Sequence, residues 1–167
     1  MIPQILRNFA LFVDGKGYAG RAEEVNLPKL TLKTEEYRGG GMDAPFEVDL
    51  GMDKLEASAT LTEYNADVLK LFGIMAGSAT QMTFRGAAQK QGDDAAAIIA
   101  TIRGRIKEID PGSWKQGEKA TLKFAVAVSY YKLNIAGSDV IEIDVENCKR
   151  IIGGTDQLAS VRTALGI

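Results

Sequence analysis

Side chains that could carry out chemistry are few in this chain. The sequence contains no histidine, which excludes Ser-His-Asp triads, histidine general bases and histidine-containing metal sites. Neighbouring carboxylates do occur, but general acid–base catalysis needs them in a cleft that separates their pKa values, and no pattern marks such a cleft. The neighbouring acids are Glu23–Glu24, Glu35–Glu36, Asp93–Asp94 and the alternating set Glu142, Asp144 and Glu146. We therefore expect no catalytic residue, no cofactor and no metal.

The other chemical motifs are incomplete. Cys148 is the only cysteine, so no intrachain disulfide can form, and neither Cys148 nor Ser129 has a histidine to activate it. The glycine triplet Gly39–Gly41 is not followed by the Gly-Lys-Ser/Thr of a phosphate-binding loop. The net charge of -2, from 20 basic and 22 acidic side chains, argues against a protein that grips nucleic acid through its phosphates.

Apolar and polar residues alternate with a period of two along most of the sequence. We therefore expect β-strands to carry the surfaces that the protein uses. The length of 167 residues suits one domain. Alternation of apolar and polar residues over 55–62, 81–85, 96–107 and 119–135 predicts long strands. Over 96–107 the odd positions Arg103, Arg105 and Lys107 form a basic face, which we interpret as solvated or in contact with protein.

The segment 119–135 contains the longest strand signal. Its apolar positions change phase near Tyr130–Tyr131, which predicts a β-bulge. The turn sequence 136–139 then predicts a hairpin whose next strand has an acidic outer face. The odd positions Ala125, Ala127 and Ser129 are small and nearly neutral. A solvated face normally has longer polar side chains, so this face favours close packing against another subunit.

Two short helices interrupt the strands. Asn65 is the predicted N-cap of the first, which has an apolar face and ends at Gly73. Thr155 or Asp156 caps the second, and we expect its apolar face to pack on protein; that face consists of Leu158, Val161 and Leu165. The predicted fold is mainly β, an antiparallel β-barrel or sandwich with one or two short helices.

Two segments are irregular in sequence. Residues 38–53 contain the glycine triplet followed by acids at intervals, and a loop of this length is usually functional or disordered. Residues 110–117 form a Pro-Gly turn that contains the only tryptophan, Trp114. Trp114 is either a platform for a ligand or, as we prefer, an anchor that packs on its own domain or on a neighbour.

An ordered set of motifs along nearly the whole chain resembles one known family. The sequence is similar to the major tail tube proteins of contractile-tailed phages and of headless, phage-tail-like bacteriocins. The motifs are Met1–Gln4, Phe12–Gly15, Leu27–Leu30, Lys33–Pro45, Phe84–Gly86, Asp110–Lys119 and Val128–Leu133. Each motif alone is weak evidence for the resemblance, but the whole set in this order is specific to the family.

The resemblance implies an architecture and a set of partners. Family members form hexameric rings whose sheets join into a barrel, as in the tube of type VI secretion, and the rings stack into a rigid inner tube. It implies a single tail tube domain over 1–167 with an extended assembly loop at about 38–53. The partners implied are further copies of the chain, a sheath protein, a tube initiator or baseplate, a terminator, and DNA in transit through the lumen. The implied location is the virion tail, assembled in the host cytoplasm.

The same resemblance suggests which residues join successive rings. Because a glycine-rich loop can order on contact with the next ring, we expect the loop to be mobile in a free subunit and to mediate stacking. The residues concerned are Arg38, Gly39, Gly40, Gly41, Met42, Asp43, Ala44 and Pro45. The alternatives left open are a small soluble ligand-binding β-barrel, which would have an aromatic pocket within a monomer, and an enzyme that uses carboxylates.

Overall fold

A computed structural model describes residues 2–73 and 79–167. Over these residues the chain is mostly antiparallel strand, with two short helices, as the sequence predicted. The elements in chain order are β1 (Ile5–Val13), β2 (Lys16–Gly17), β3 (Ala22–Asn26), β4 (Leu32–Tyr37), β5 (Phe46–Met52), β6 (Leu55–Leu61), α1 (Ala66–Leu69), β7 (Thr80–Gln89), β8 (Ala96–Asp110), β9 (Leu122–Ile135), β10 (Ser138–Asp144), β11 (Lys149–Ile152), β12 (Thr155–Asp156) and α2 (Ala159–Leu165).

Six of these strands curl into a barrel. Antiparallel pairing follows the order β3-β6-β9-β8-β7-β1, and β1 returns to lie against β3. The inward positions are apolar because each strand alternates in period two, and they form one buried core. The largest buried side chains are Phe124, Leu11, Leu61, Met82, Ile102, Ile106, Leu122, Val13, Val68 and Val126. The barrel therefore has a packed core of its own.

Strand β9 belongs to two parts of the sheet. Its first half pairs with β6 and its second half pairs with β10, while β8 follows it on the other side. Arg103 faces Tyr130 but Gly104 faces Val128, so Ser129 is the extra residue of a β-bulge. This confirms the bulge predicted from the phase change, which the structure places at the point where the sheet divides.

The bulge also explains why position 104 is a glycine. A Cβ added at Gly104 would lie 2.2 Å from the carbonyl oxygen of Ala127, a distance that no side chain tolerates. Glycine at this position lets the two backbones approach closely beside the bulge.

The second half of β9 leads into a small wing of strands, β10-β11-β12. The turn at Ala136 and Gly137 has φ values of 51° and 86°, the left-handed pair that a two-residue hairpin requires. The predicted hairpin is confirmed. Its acidic face is less solvated than predicted, because Glu142 and Asp144 are half-buried and accept hydrogen bonds from Tyr130 and Asn147.

Helix α1 is a single turn. The Asn65 side chain accepts hydrogen bonds from the backbone N–H groups of Asp67 and Val68, which confirms the predicted N-cap. The predicted apolar face is only partly right. Val68 is buried, whereas Leu69 is exposed and Phe72 is 54% exposed, because the helix ends after one turn and cannot present a continuous stripe to the core.

Helix α2 differs more from the prediction. Thr155–Asp156 form strand β12, and the helix begins at Ala159 with no side-chain cap. Leu158 is half-buried, but Val161 is exposed and Leu165 is 63% exposed. The expected packing of this face on protein is therefore wrong within the chain, because the helix follows the short edge strand β12 and is attached by polar contacts instead. Arg162 donates to the carbonyl oxygen of Cys148 and pairs with Asp156.

Among the residues described, no helix has the length and apolar character that crossing a membrane would require.

Candidate assembly surfaces

Strands β4 and β5 form a hairpin that is separate from the large sheet. The sequence predicted an irregular loop over 38–53, and this is wrong for its second half, because Phe46–Met52 is a strand paired with β4. The signal was present in the alternation of Phe46, Val48 and Leu50 with acids. The glycine triplet and the spaced acids obscured it by suggesting disorder.

The pairing register gives this hairpin two unlike faces. Tyr37 lies opposite Phe46, and Glu35 lies opposite Val48, while Glu36 lies directly opposite Glu47 on the other side. One face is therefore mainly apolar, with Glu35 opposite Val48, and we call it the apolar hairpin face: Tyr37, Phe46, Val48 and Leu50. The other face is acidic and contains Glu36, Glu47 and Asp49.

The hairpin leaves both faces open to solvent. Phe46 is 63% exposed, and every residue of β4 is exposed. An isolated two-stranded hairpin is marginal in water, and two carboxylates directly opposite each other destabilise the pairing further. Covering such a surface with a partner would stabilise it, which makes the hairpin the first candidate assembly surface.

The tip of the hairpin is an ordered turn built from its own hydrogen bonds. The Arg38 guanidinium donates to the carbonyl oxygen of Asp43 at 3.0 Å, and the Met42 N–H donates to the carbonyl oxygen of Gly39 at 3.2 Å. Gly41 has φ +85°, the left-handed value that such a turn needs. All eight residues expected in the assembly loop lie here: Arg38, Gly39, Gly40, Gly41, Met42, Asp43, Ala44 and Pro45. Their role in stacking and their mobility in a free subunit stay predictions.

The base of the hairpin is fastened to the wing of the sheet. The Asp53 N–H donates to the carbonyl oxygen of Thr31, and Asp49 lies 3.7 Å from the guanidinium of Arg150 on β11. The Arg150 side chain is 13% exposed, and its Nε is buried without a hydrogen-bond partner among the described residues. Arg150 is thus a largely covered cation whose ion pair with Asp49 ties β5 to the wing.

The small residues predicted as a subunit-packing face lie together on the outside of the barrel. Ala125, Ala127 and Ser129 are half-buried, and Ser129 donates from its hydroxyl to the carbonyl oxygen of Arg103. Glu56 and Arg105 flank Ala127 on the two neighbouring strands. The ion pair between Lys107 and Glu56 joins the strands on either side of β9. The small side chains leave room for this ion pair, a reason within the chain itself, so their contact with another subunit stays a prediction.

A polar cluster lies beside this face. The Arg103 guanidinium is 4.1 Å from the centre of the Tyr130 ring, and the Tyr130 hydroxyl donates to Glu142 at 3.0 Å. Burial raises the pKa of Tyr130, and the bond to Glu142 raises it further. Burial alone would raise the pKa of Asp144, but hydrogen bonds from the side chain and backbone of Asn147 hold that pKa below its ordinary value. These groups satisfy one another and form a structural network.

A second aromatic surface, which sequence reasoning did not find, joins Tyr64 and Trp114. The Trp114 Nε1 donates to the Tyr64 hydroxyl at 2.6 Å, and that hydroxyl donates to the carbonyl oxygen of Pro111. The rings meet edge to face with centres 5.9 Å apart. Trp114 is nonetheless 79% exposed, so most of its surface does not pack on its own domain, and its packing on a neighbour stays a prediction. Fifty residues separate the pair in sequence, and no local pattern connects them.

The cavities give no support to a ligand-binding barrel. An apolar cavity of about 400 Å³ lies outside the barrel between the hairpin base and the wing. No aromatic side chain of the described residues lines it; its walls include Met52, Leu55, Ala127, Ile143, Val145 and Leu158. Within residues 2–73 and 79–167, no three acidic or cysteine side chains cluster closely enough to hold a metal ion.

Known proteins of similar sequence share one description. A family model described as phage tail tube protein FII matches residues 3–166. The chain is 35% identical over 170 residues to the tail tube protein of Escherichia phage P2, and the match covers 99% of each protein. It is 38% identical over 148 residues to the major tail tube protein of Serratia phage KSP20, covering 87% of this chain and 85% of that protein.

Solved structures share the fold at much lower sequence identity. A chain of the PVC sheath–tube complex, from an extracellular contractile injection system in the extended state, superposes with a TM-score of 0.63 and 11% identity. That match covers 80% of this chain and 92% of the other. A chain of the PVC sheath/tube terminator gives a TM-score of 0.61 and 10% identity, with 80% and 98% covered.

Proposed function

The chain belongs to the phage tail tube protein FII family, as its sequence resemblance predicted, and from this membership we propose that it is the repeating subunit of the inner tube of a contractile tail. Its work is structural and it catalyses no reaction. The observation that carries this proposal is the β4–β5 hairpin, which projects an exposed apolar face from a subunit whose own core is already complete. A surface of that kind is stabilised by neighbouring subunits.

We propose that six copies join into a ring through the edges of their sheets. Residues Ile5–Ala10 of β1 pair with β7 on one side, and no strand of the described residues pairs with their other side. Ile5 and Leu6 are exposed on this segment. An open strand edge with apolar side chains is a liability in a free subunit, and closing the sheet through neighbours removes it.

The rings then stack into a tube with defined partners. A sheath protein surrounds it, an initiator or baseplate protein starts it, and a terminator ends it, all within the virion tail assembled in the host cytoplasm. DNA passes through the lumen without being held. The net charge of -2 suits this passage, because a strongly basic wall would bind phosphates.

The experiment is assembly of the purified protein, followed by sedimentation and negative-stain electron microscopy. We expect rings and tubes at high concentration. Deleting Gly40–Pro45 should leave a folded subunit that no longer stacks, because the deletion removes the hairpin tip and leaves the barrel intact. As a matched control, Val145→Ala truncates a similarly exposed apolar side chain outside the hairpin and should assemble normally.

Two outcomes would contradict the proposal. A subunit that stays a strict monomer at all concentrations would argue against a tube protein. Tubes of normal length formed by the deletion variant would show that the hairpin tip plays no part in stacking.

A further inference from the structure

We propose that the Tyr64–Trp114 pair is the surface that receives the apolar hairpin face of a second copy of this chain. The inference rests on the proposed stacking of rings and names the contact that makes it. Both surfaces are exposed in the subunit, and neither touches the other within one chain.

The placement of the two surfaces suits contact between successive copies. The hairpin leaves the barrel at the Leu55 end of β6, through the link Asp53–Lys54. Tyr64 lies just beyond the opposite end of β6, three residues after Leu61. The seven residues of β6 span roughly 20 Å at about 3.3 Å per residue. Two different surfaces at opposite ends of a subunit form a head-to-tail interface, which repeats instead of closing on itself.

The chemistry of the receiving surface suits an apolar partner. Trp114 is held in place by its hydrogen bond to Tyr64, and Tyr64 is held by its bond to Pro111. A fixed, exposed tryptophan loses little side-chain entropy on contact, and such residues are typical binding hot spots. The connection that follows Tyr64 also exposes Leu69 and Phe72, which widens the apolar area at this end of the subunit.

The charges around the two surfaces are complementary. The hairpin segment 32–52 contains five acidic and two basic side chains, a net charge of -3. The loop 111–121 that carries Trp114 contains two basic side chains and one acidic one, a net charge of +1, and Lys123 follows at the start of β9. Lys119 pairs with Glu23 of the same chain, so Lys115 and Lys123 are the lysines that face a partner's acids. Opposite charges around an apolar centre set the register of an interface and speed association. Glu35, which lies on the docking face opposite Val48, would meet these lysines.

Disulfide cross-linking tests the contact directly, in a Cys148→Ser background that removes the natural thiol. Phe46→Cys on one copy and Trp114→Cys on another should cross-link under mild oxidation, giving dimers or ladders on a non-reducing gel. The matched control replaces Trp114→Cys by Ile135→Cys, at the far end of β9, and should not cross-link with Phe46→Cys. Equal cross-linking of both pairs, or none with Trp114→Cys in particles that stack normally, would overturn the assignment.

A second measurement separates this contact from the tube function itself. Trp114→Ala should raise the concentration needed for assembly about thirtyfold, the change that corresponds to a hot spot of about 2 kcal/mol, while circular dichroism stays unchanged. Trp114→Phe keeps an aromatic ring and should restore part of the assembly. Tubes formed by Trp114→Ala at the wild-type concentration would overturn the contact and leave the tube function standing. Cross-linking of Phe46→Cys with Trp114→Cys, together with a wild-type protein that never forms tubes, would leave the contact standing and overturn the tube function.

Discussion

Strands β5 and β6 are each seven residues long and follow each other directly in the chain, yet they place their apolar side chains in opposite environments. In β6, Leu55, Ala57, Ala59 and Leu61 point into the barrel and are buried. In β5, Phe46, Val48 and Leu50 alternate in the same way and are exposed. The alternation is the same; the difference is that β6 lies between β3 and β9, whereas β5 pairs only with β4.

This contrast separates two sources of stability in one chain. The barrel obtains its apolar contacts from its own strands, so it folds without help. The hairpin has the alternation of a buried strand, but no layer of the described residues covers its apolar side chains. We therefore expect its contacts to come from other copies of the chain. Changes in the barrel should therefore alter the unfolding of the subunit, and changes in the hairpin should alter assembly.

Two phenylalanines give the largest expected difference. Phe124 is fully buried in β9, and Phe124→Ala should lower the free energy of unfolding by about 3–5 kcal/mol, because it loses transfer energy and leaves a cavity. Phe46→Ala on the hairpin should change it by less than about 0.5 kcal/mol and yet raise the protein concentration needed for stacking. Urea denaturation of the unassembled subunit measures the first effect and electron microscopy the second. Similar destabilisation by both variants would break the comparison.

Two glycines make the next test. Gly104→Ala should destabilise the subunit by about 1–3 kcal/mol, since the new Cβ would collide with the backbone beside the bulge. Gly40→Ala, at the hairpin tip, meets open space and should leave the stability of the unassembled subunit within about 0.5 kcal/mol of wild type. Thermal unfolding followed by circular dichroism distinguishes them, and an unchanged melting temperature for Gly104→Ala would contradict the close approach.

Two leucines extend the comparison to α2. Leu165→Ala should change the stability of the free subunit by less than about 0.5 kcal/mol, because that side chain is mostly in solvent. Leu61→Ala in the barrel should cost about 2–5 kcal/mol. Urea midpoints of the two variants provide the measurement. A large loss from Leu165→Ala would mean that α2 is covered in solution, as the sequence had predicted.

The smallest effect concerns the polar attachment of α2. The hydrogen bond from Arg162 lowers the pKa of Asp156 below its ordinary value. The attachment therefore adds stability above the unfolded value of about 3.9 and loses it as the pH falls through the lower folded pKa. An NMR titration of the Asp156 carboxyl carbon should show the low pKa, and Arg162→Ala should return it towards normal. A pKa that does not move in this variant would show that Arg162 is not its cause.

The barrel was predictable because its strands show alternation of apolar and polar residues within their own sequence segments. Alternation over 55–62 and 96–107 gave β6 and β8 nearly to the residue, and the phase change near Tyr130–Tyr131 gave the bulge at Ser129. Asn65 was found because an N-cap acts within three residues. Each of these signals depends on neighbours in sequence, and the structure agrees with all of them.

The assembly surfaces were less predictable because they depend on what is absent or distant. The apolar hairpin face has an ordinary strand pattern. Such alternation predicts a strand, but it does not predict what packs against the apolar side of that strand. The Tyr64–Trp114 pair is made by residues that fold together only after β6, β8 and β9 are in register. The exposure of α2 follows from the shortness of β12, which no periodicity reveals.

The position of the hairpin at one end of β6 gives any polymer built through it a direction. Each added layer would bury the hairpins of one layer and leave those of the other exposed, so the two ends of the growing tube would never be alike. One end of the tube would expose unoccupied Tyr64–Trp114 surfaces, and the other end would expose free hairpins. A single capping protein could not recognise both. Because every contact between layers is identical, the contacts cannot set the number of layers. Another molecule would have to determine the length of the finished tube.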